Sequence, residues 1–447
     1  MNKISRVLLS HFLLLFLLIP SVSGQGLPKA SPEELGLSPD RLERISIYMQ
    51  DCVDKQLIPG VVTLVARHGK VAYLESFGMM DIETGTPMTN DAIFRICSMT
   101  KTITSVAIMM LYEEGHFLLT DPISKYIPEF NEPKVLVEIS PGTSELVAAN
   151  REITIQDLLT HTSGLTYKFM GIEPFAELYE KAGIKDGLSS NTETIGEMVE
   201  KLAKLPLMHH PGEAWNYSLS VDVLGRLIEV VSDKTLEDYF HEYIFKPLNM
   251  QDTYFYLPEE KVPRLASVYF PNKQGGLDKI DDMQVEYPSI FVTSERVESG
   301  HLEFSTTYPY STSRSYFSGG GGLSSTISDY SSFLQMLLNG GALDGTRLLG
   351  RKTVEFMKTN HTGDLKVGFG PDGYNFGLGF MIHSDPGSSG QIGSKGDYGW
   401  SGFFYTWFVV DPVEDMTFIM MTQMFPCFHL DIHEKFRVLA YQSIVDK

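Results

Sequence analysis

Residues 94–115 read FRICSMTKTITSVAIMMLYEEG, and this stretch decides the fold. The apolar residues after Lys101 recur at helical spacing and end before Gly115, which predicts a buried helix over Ser98–Glu114. Ser98 and Lys101 are three residues apart, so both side chains would lie on one face of that helix. The pattern Ser-x-x-Lys occurs nowhere else in the chain.

The pairing of Ser98 with Lys101 suits nucleophilic catalysis. An isolated serine hydroxyl is a weak nucleophile and needs a neighbouring base. Phe94 and Ile103 flank the pair, and a lysine in such an apolar setting must find a partner or undergo a fall in its pKa. A surface serine and lysine on an ordinary helix is the alternative for the tetrapeptide taken alone. The apolar flanks favour an active Ser98 nucleophile with Lys101 as its partner.

Tyr217 is a second candidate for proton transfer. It lies in Asn216-Tyr217-Ser218-Leu219, in a loop before a helix predicted over Asp222–Ser232. A nearby lysine would lower the pKa of its phenol and let it exchange protons during the reaction. An isolated tyrosine in such a loop is more often a packing residue.

Trp400-Ser401-Gly402 is a third candidate segment, placed just before a strand predicted over Phe403–Val410. A backbone N–H at such a strand edge would join the N–H of Ser98 in an oxyanion hole. The tripeptide alone has almost no specificity.

The three segments together, in this order and spacing, resemble the serine β-lactamase and penicillin-binding-protein superfamily. The closest motifs are those of class C β-lactamases and family VIII carboxylesterases. LLTHTSGL at 158–165 and GGGLSS at 320–325 support the resemblance, which runs from about Ser38 to the C-terminus. It implies an acylated Ser98, proton transfer by Lys101 and Tyr217, and an oxyanion hole of the Ser98 and Phe403 N–H groups. It implies no metal and no organic cofactor.

Two positions depart from the β-lactamase pattern. Leu219 stands where those enzymes have an asparagine that binds a substrate amide, and Trp400 stands where they have a lysine or histidine that helps bind a carboxylate. With Ser401 and Gly402, these residues are predicted to contact substrate. Both changes remove polar recognition of an acidic amide, although Lys395 lies near enough in sequence to restore a positive charge.

The predicted substrate is therefore a carboxylic ester with a small or medium acyl group. The first alternative is a β-lactam or a D-alanyl peptide, as for a β-lactamase or carboxypeptidase. The second alternative is a catalytically silent binding protein on the same scaffold. The intact Ser98, Lys101 and Tyr217 argue against that silent protein, because it has no chemical reason to keep all three.

The order of predicted elements indicates the fold class. Strands predicted over Gly60–Ala66 and Lys70–Phe77 lie near one end of the chain, and a strand at Met416–Thr422 lies near the other. Most of the elements between them are helical. We predict an α/β (α+β) domain of the β-lactamase/transpeptidase-like type: an antiparallel sheet flanked by helices, plus a mostly helical inserted domain, with the site in the cleft between them.

Other polar and aromatic residues carry weaker signals. The alternation of His429, Asp431 and His433 is a weak metal pattern with no further ligand cluster, so no metal site is predicted. His161 is expected to be structural. Tyr308, Tyr310 and Tyr316 either line the pocket or pack. The cysteines, Cys52, Cys97 and Cys427, are compatible with one disulfide or with three buried thiols.

The N-terminal 24 residues have the order of a secretory signal peptide. Lys3 and Arg6 precede an apolar run over 7–19, and Pro20 and small residues follow. We expect residues 1–24 to be removed, leaving a hydrolase domain over 25–447 that is exported to the periplasm or secreted; an uncleaved anchor is the alternative. No later stretch is apolar enough to span a membrane.

The chain is strongly acidic, with a formal net charge of −20. Nucleic-acid phosphates and anionic lipid headgroups would be repelled by such a surface. The expected partner is therefore a small-molecule substrate and not a nucleic acid; the oligomeric state stays open.

Overall fold

The computed structural model describes residues 26–446, except 141, 190, 281–282, 288–299, 311–312, 369, 426 and 428–429. The predicted signal segment lies outside the described residues. None of the described helices is long and apolar enough to span a membrane.

The described part of the chain contains eighteen strands. They are β1 Gly60–Arg67, β2 Lys70–Asp81, β3 Thr86–Pro87, β4 Phe94–Arg95, β5 Lys134–Ser140, β6 Thr143–Ala148, β7 Tyr269–Pro271, β8 Leu277–Lys279, β9 Met283–Tyr287, β10 Gly300–Phe304, β11 Ser324–Ser325, β12 Ala342–Leu343, β13 Thr346–Arg347, β14 Tyr374–Phe376, β15 Met381–His383, β16 Tyr398–Ser401, β17 Trp407–Asp411 and β18 Met416–Met421.

The same residues form eleven α-helices. They are α1 Pro39–Asp54, α2 Thr100–Glu113, α3 Ile155–Leu159, α4 Phe175–Lys181, α5 Ile195–Leu202, α6 Ser220–Ser232, α7 Leu236–Phe240, α8 Ile327–Leu338, α9 Arg351–Met357, α10 Pro386–Ser389 and α11 Ile432–Tyr441. A π-helical turn, His241–Phe245, continues α7.

The main sheet joins the two ends of the chain. Its strand order is β14-β15-β16-β17-β18-β1-β2-β3. The neighbouring strands β1 and β18 join the two ends of the chain; they are antiparallel, and Val62 lies opposite Met421. All residues of both strands are buried, because helices cover both faces of the sheet. The predicted antiparallel sheet, assembled from distant segments around a helical insertion, is confirmed.

Two predicted boundaries near the sheet have different outcomes. His68 and Gly69 both have positive φ, 54° and 73°, and form the predicted turn between β1 and β2. The prediction of one strand over Phe403–Val410 is wrong in its first half. Residues 402–406 form a hairpin loop closed by the Gly402 N–H donating to the Thr406 carbonyl, so the strand begins at Trp407.

Helices form a layer on each side of the sheet. On one side, α1 and α11 pack together and enclose a core around Phe418. On the other side, α8 packs on β18, and α2 contacts α6 of the helical insertion. Every residue of α2 from Thr100 to Leu111 is buried, as expected for a helix inside the molecule. Lys101 is therefore held in the interior by its own helix.

Replacement of Phe418 by alanine tests the core beneath the terminal helices. The ring is fully buried and meets the rings of Trp407, Phe436 and Tyr441 edge-on or tilted. We expect Phe418→Ala to lower the free energy of unfolding by about 3–5 kcal/mol, measured by urea denaturation, because a cavity remains. The matched change Val413→Ala, at a side chain that is 69% exposed, should cost about 0.5 kcal/mol or less. Similar losses for both variants would contradict this account.

Candidate active site

A strained turn presents Ser98 at the start of α2. Cys97 has φ 45°, a left-handed conformation that is unusual for a residue with a side chain. Cys97–Met99 then form one 3-10 turn that leads into the helix. Ser98 is only half-buried and lines a cavity, whereas its neighbours Cys97 and Met99 are fully buried. The turn thus exposes one hydroxyl at the end of a buried helix.

Lys101 is buried directly beside that hydroxyl. Its side chain is 1% exposed, and its Nζ donates to Ser98 Oγ at 3.2 Å and to the Gly320 carbonyl at 2.6 Å. The ammonium also lies 4.6 Å from the centre of the Tyr217 ring. Burial lowers the pKa of Lys101 to about 7, against an opposing effect of the Asp222 charge. A substantial fraction of the amine is therefore unprotonated near neutral pH.

Tyr217 completes the group around the serine. Its hydroxyl donates to Ser98 Oγ at 2.6 Å. Burial raises the pKa of this phenol, and the hydrogen bond with Ser98 lowers it by less. The expectation that the pKa of Tyr217 would be depressed is wrong, because desolvation outweighs the hydrogen bonds with Ser98 and Trp400 that favour the phenolate. Tyr217 is placed to act as a neutral donor, while Lys101 has the properties of a base.

His161 supports Tyr217 from behind. Its ring lies 4.9 Å from the Tyr217 ring, and its Nδ1 hydrogen-bonds with Ser218 Oγ at 3.1 Å. Burial holds the pKa of His161 well below its usual range, so the imidazole is neutral. This placement agrees with the structural role expected for it.

A buried carboxylate lies beside this group, and the sequence analysis did not find it. Asp222 accepts hydrogen bonds at Oδ1 from Ser318 Oγ at 2.6 Å and from the Gly320 N–H at 3.3 Å. Asp222 is fully buried, and burial raises its pKa. The available signal was an aspartate on the apolar helix that follows Tyr217, a position where a charge is costly without a partner.

A cavity of about 500 Å³ opens in front of Ser98. Aromatic rings form much of its wall near the serine, contributed by Tyr167, Phe169, Tyr217, Trp400 and Phe403. Arg437 is the one lysine or arginine among the described lining residues, and it pairs with the buried Asp397 at 2.5 Å. The acidic lining includes Asp186, where burial raises the pKa to about 7. The described lining thus offers a substrate no lysine or arginine outside this ion pair.

The third predicted segment reaches the cavity. Trp400, Ser401, Gly402 and Phe403 all line it. Trp400 is the bulky wall expected from the sequence, with its ring 5.6 Å from that of Tyr217. The N–H of Phe403 approaches the Cys97 sulfur, where it favours the thiolate form. Its role in an oxyanion hole stays a prediction.

Leu219 does not line the cavity. Its side chain is fully buried in the core, where the residue caps the start of α6. The prediction that Leu219 contacts substrate is therefore corrected: the leucine anchors a helix end. Lys395 is also absent from the described lining, and its charge acts on Asp385 instead.

The remaining predicted groups lie away from Ser98 or in packing positions. Tyr308 and Tyr316 are buried, Tyr310 is 39% exposed, and none of the three lines the described cavity. His433 stacks on Trp407 with ring centres 5.1 Å apart. The alternation that includes His429 falls partly outside the described residues. The three cysteines are buried free thiols.

Comparison with known proteins places this geometry in a family. The family model described as Beta-lactamase matches residues 47–440. The chain belongs to the beta-lactamase family. An uncharacterized protein of Mycobacterium tuberculosis is 32% identical over 393 residues, covering 86% of this chain and 90% of that protein. Esterase EstB of Burkholderia gladioli is 29% identical over 368 residues, covering 82% of this chain and 86% of the esterase.

A solved structure also resembles this chain along most of its length. EstCE1, described as a hydrolase with promiscuous acyltransferase activity, superposes with a TM-score of 0.77 at 26% identity. The match covers 90% of this chain and 99% of EstCE1. The chain is thus a beta-lactamase-fold serine hydrolase, as the Ser-x-x-Lys pattern predicted.

The depressed pKa of Lys101 predicts the pH dependence of catalysis. The free amine exists above about pH 7, so kcat/KM for p-nitrophenyl butyrate should rise through about pH 7 to a plateau. Lys101→Arg keeps its proton at every accessible pH and should be inactive throughout. The part of the profile that rises with pH is its acid limb. An acid limb of the wild type centred near pH 10, the ordinary range for a lysine pKa, would contradict Lys101 as the base.

Proposed function

We propose that the chain is an exported serine hydrolase that cleaves carboxylic esters through an acyl-enzyme on Ser98. The geometry around Ser98 supports the nucleophile, and the basic, apolar N-terminal segment over 1–24 supports export. Two relatives described as an esterase and a hydrolase favour the same reaction class.

The composition of the cavity wall carries the choice of substrate. A β-lactam or a peptide C-terminus brings a carboxylate, which needs a cation in a binding site. Here Arg437 is the one lysine or arginine of the described lining, and it is already paired with Asp397. An uncharged ester meets aromatic rings instead and gains from burial of its apolar parts. The cavity therefore suits a neutral ester better than an acidic amide.

In the acylation step that we propose, Ser98 Oγ attacks the ester carbonyl while its proton passes to the unprotonated Lys101 amine. One N–H of the amine donates to the Gly320 carbonyl, and the nitrogen lies 3.2 Å from Ser98 Oγ, within reach of the serine proton once Lys101 is unprotonated. Tyr217 donates to Ser98 Oγ and stabilises the negative charge that this oxygen gains as its proton leaves. The C–O bond to the alcohol then breaks, and the alcohol takes a proton from Lys101, either directly or through Tyr217.

Deacylation reverses the same proton movements. Lys101, neutral again, takes a proton from water as the water oxygen attacks the acyl carbonyl. The bond to Ser98 Oγ breaks, Lys101 returns the proton to the serine, and the carboxylic acid leaves. The N–H groups of Ser98 and Phe403 are the proposed donors to the oxyanion in both halves.

Removal of the serine hydroxyl tests the reaction and the substrate together. Ser98→Ala should lower turnover of a p-nitrophenyl ester by about 10⁴ or more, because no acyl-enzyme forms. Wild-type and mutant protein are assayed in parallel on the ester and on a chromogenic β-lactam. Dominant β-lactam turnover would move the assignment to a β-lactamase or D-alanyl carboxypeptidase. Activity on neither substrate, with no acylation of Ser98 by mass spectrometry, would favour a silent binding protein.

Replacement of Trp400 tests the role of the aromatic wall. Trp400→Lys places a cation at the rim of the serine site and should raise kcat/KM for a chromogenic β-lactam by about tenfold, since a charged hydrogen bond contributes about 1.5–3 kcal/mol. Trp400→Leu removes the ring without adding charge and is the matched control. A β-lactam rate that is equal in the two variants would show that position 400 does not control carboxylate binding.

A further inference from the structure

We propose that Asp222 is a positioning residue for Lys101: it holds the Gly320 peptide against the lysine amine and maintains a negative charge beside it. The inference rests on the proposed roles of Ser98 and Lys101, but not on the choice of substrate.

Two successive hydrogen bonds connect the carboxylate to the amine. Asp222 Oδ1 accepts from the Gly320 N–H at 3.3 Å, and the carbonyl of the same Gly320 accepts from Lys101 Nζ at 2.6 Å. Ser318 Oγ donates to Asp222 Oδ1 at 2.6 Å and fixes the carboxylate in turn. The amine is therefore oriented by a peptide group that Asp222 holds in place.

The close approach of this segment requires glycine. A Cβ atom at Gly320 would lie 2.3 Å from Asp222 Oδ2, well inside contact distance. A Cβ atom at Gly319 would lie 2.8 Å from the Val221 carbonyl of the same helix. Glycines 319 and 320 thus allow the loop to lie directly on α6, which brings its carbonyl to Lys101.

Charge provides the second part of the effect. The pKa of Lys101 is lowered by burial and raised by Asp222 and, to a smaller extent, by Cys97. Its other titratable neighbours are uncharged near neutral pH, because burial raises the pKa values of the tyrosines and lowers that of the histidine: Tyr167, Tyr217 and His161. Asp222 itself also interacts with the buried Tyr316 and Asp186. Asp222 is thus the principal group that opposes desolvation of the amine.

The expected consequence is that the pKa of Lys101 stays near neutral pH. Burial alone would depress the basicity of Lys101 further, and a weaker base transfers the serine proton less effectively. With Asp222 in place, the amine is free near neutral pH and still basic enough to accept that proton. Asp222 acts through Lys101 and does not touch the reacting atoms.

The test measures how fast a fluorophosphonate probe labels Ser98 across pH, in wild type and Asp222→Asn. Labelling needs only the activated serine, so an absence of ester turnover would refute the proposed substrate and leave this test intact. In Asp222→Asn the acid limb should move to lower pH by about one unit or more, because an opposite charge near the lysine is gone. The plateau rate should fall by roughly tenfold, as expected for a weaker base.

Asp329→Asn is the matched control. Asp329 is an equally buried carboxylate on α8, and it accepts from the Asp252 N–H at 2.7 Å and from Thr253 Oγ1 at 2.9 Å. This variant should lose thermal stability and keep the wild-type acid limb. A similar movement of the limb in Asp329→Asn would show that general destabilisation, and not the charge of Asp222, causes the shift.

Ser318→Ala covers the case in which Asp222→Asn fails to fold. It removes the hydrogen bond that favours the ionised carboxylate, so the acid limb should move in the same direction by a smaller amount. An acid limb that stays at the wild-type pH in whichever variant folds overturns the proposal. A lower plateau without a shifted limb overturns it equally, since a merely structural role predicts that result.

Discussion

The burial of one amine is the constraint on which the site depends. Lys101 is 1% exposed, and an ammonium in such a place is costly unless partners satisfy it or it loses its proton. The fold supplies a carbonyl from the glycine loop, two aromatic faces and a serine oxygen, so that either protonation state is accommodated. The same desolvation that destabilises the charge creates a base at neutral pH. Burial of Lys101 therefore lowers the stability of the fold and at the same time provides the catalytic base. The packing of the surrounding helix must offset this loss of stability.

The wall of the cavity combines aromatic rings with a buried ion pair. Its aromatic wall stabilises Tyr217 by packing and offers an apolar surface next to a polar reaction centre. Arg437 is occupied by Asp397 and by contacts with His383, so its positive charge serves the packing of α11 against the sheet. Trp400 lines this wall, with its ring beside that of Tyr217. The proposed preference for a neutral ester rests on these aromatic rings and on the pairing of Arg437 within the described lining.

The sequence predicted the parts of the site that are local in the chain. Ser98 and Lys101 are three residues apart across the turn that leads into α2, so their spacing was enough to predict their contact, and the resemblance added Tyr217. Asp222 escaped notice because its partners, Ser318 and Gly320, lie almost a hundred residues away. The pKa of Tyr217 was predicted in the wrong direction because burial, which sequence does not reveal, outweighs the hydrogen bonds that favour the phenolate. The sheet was predictable from continuous apolar strands at both ends, whereas the loop over 402–406 was not, since its turn depends on Tyr405 adopting φ 71°.

The pairing of β1 with β18 has a consequence for how the molecule is made. Val62 and Met421 are neighbours in space, but nearly the whole chain must be synthesised before they can meet. Contacts between such distant residues form slowly, because a long loop has to close first. The residues of the serine helix are therefore synthesised before Trp400, Phe403 and the strands that follow them. In a nascent chain Ser98 would thus lack part of its pocket, and hydrolytic activity would begin only after the last strands have joined the sheet.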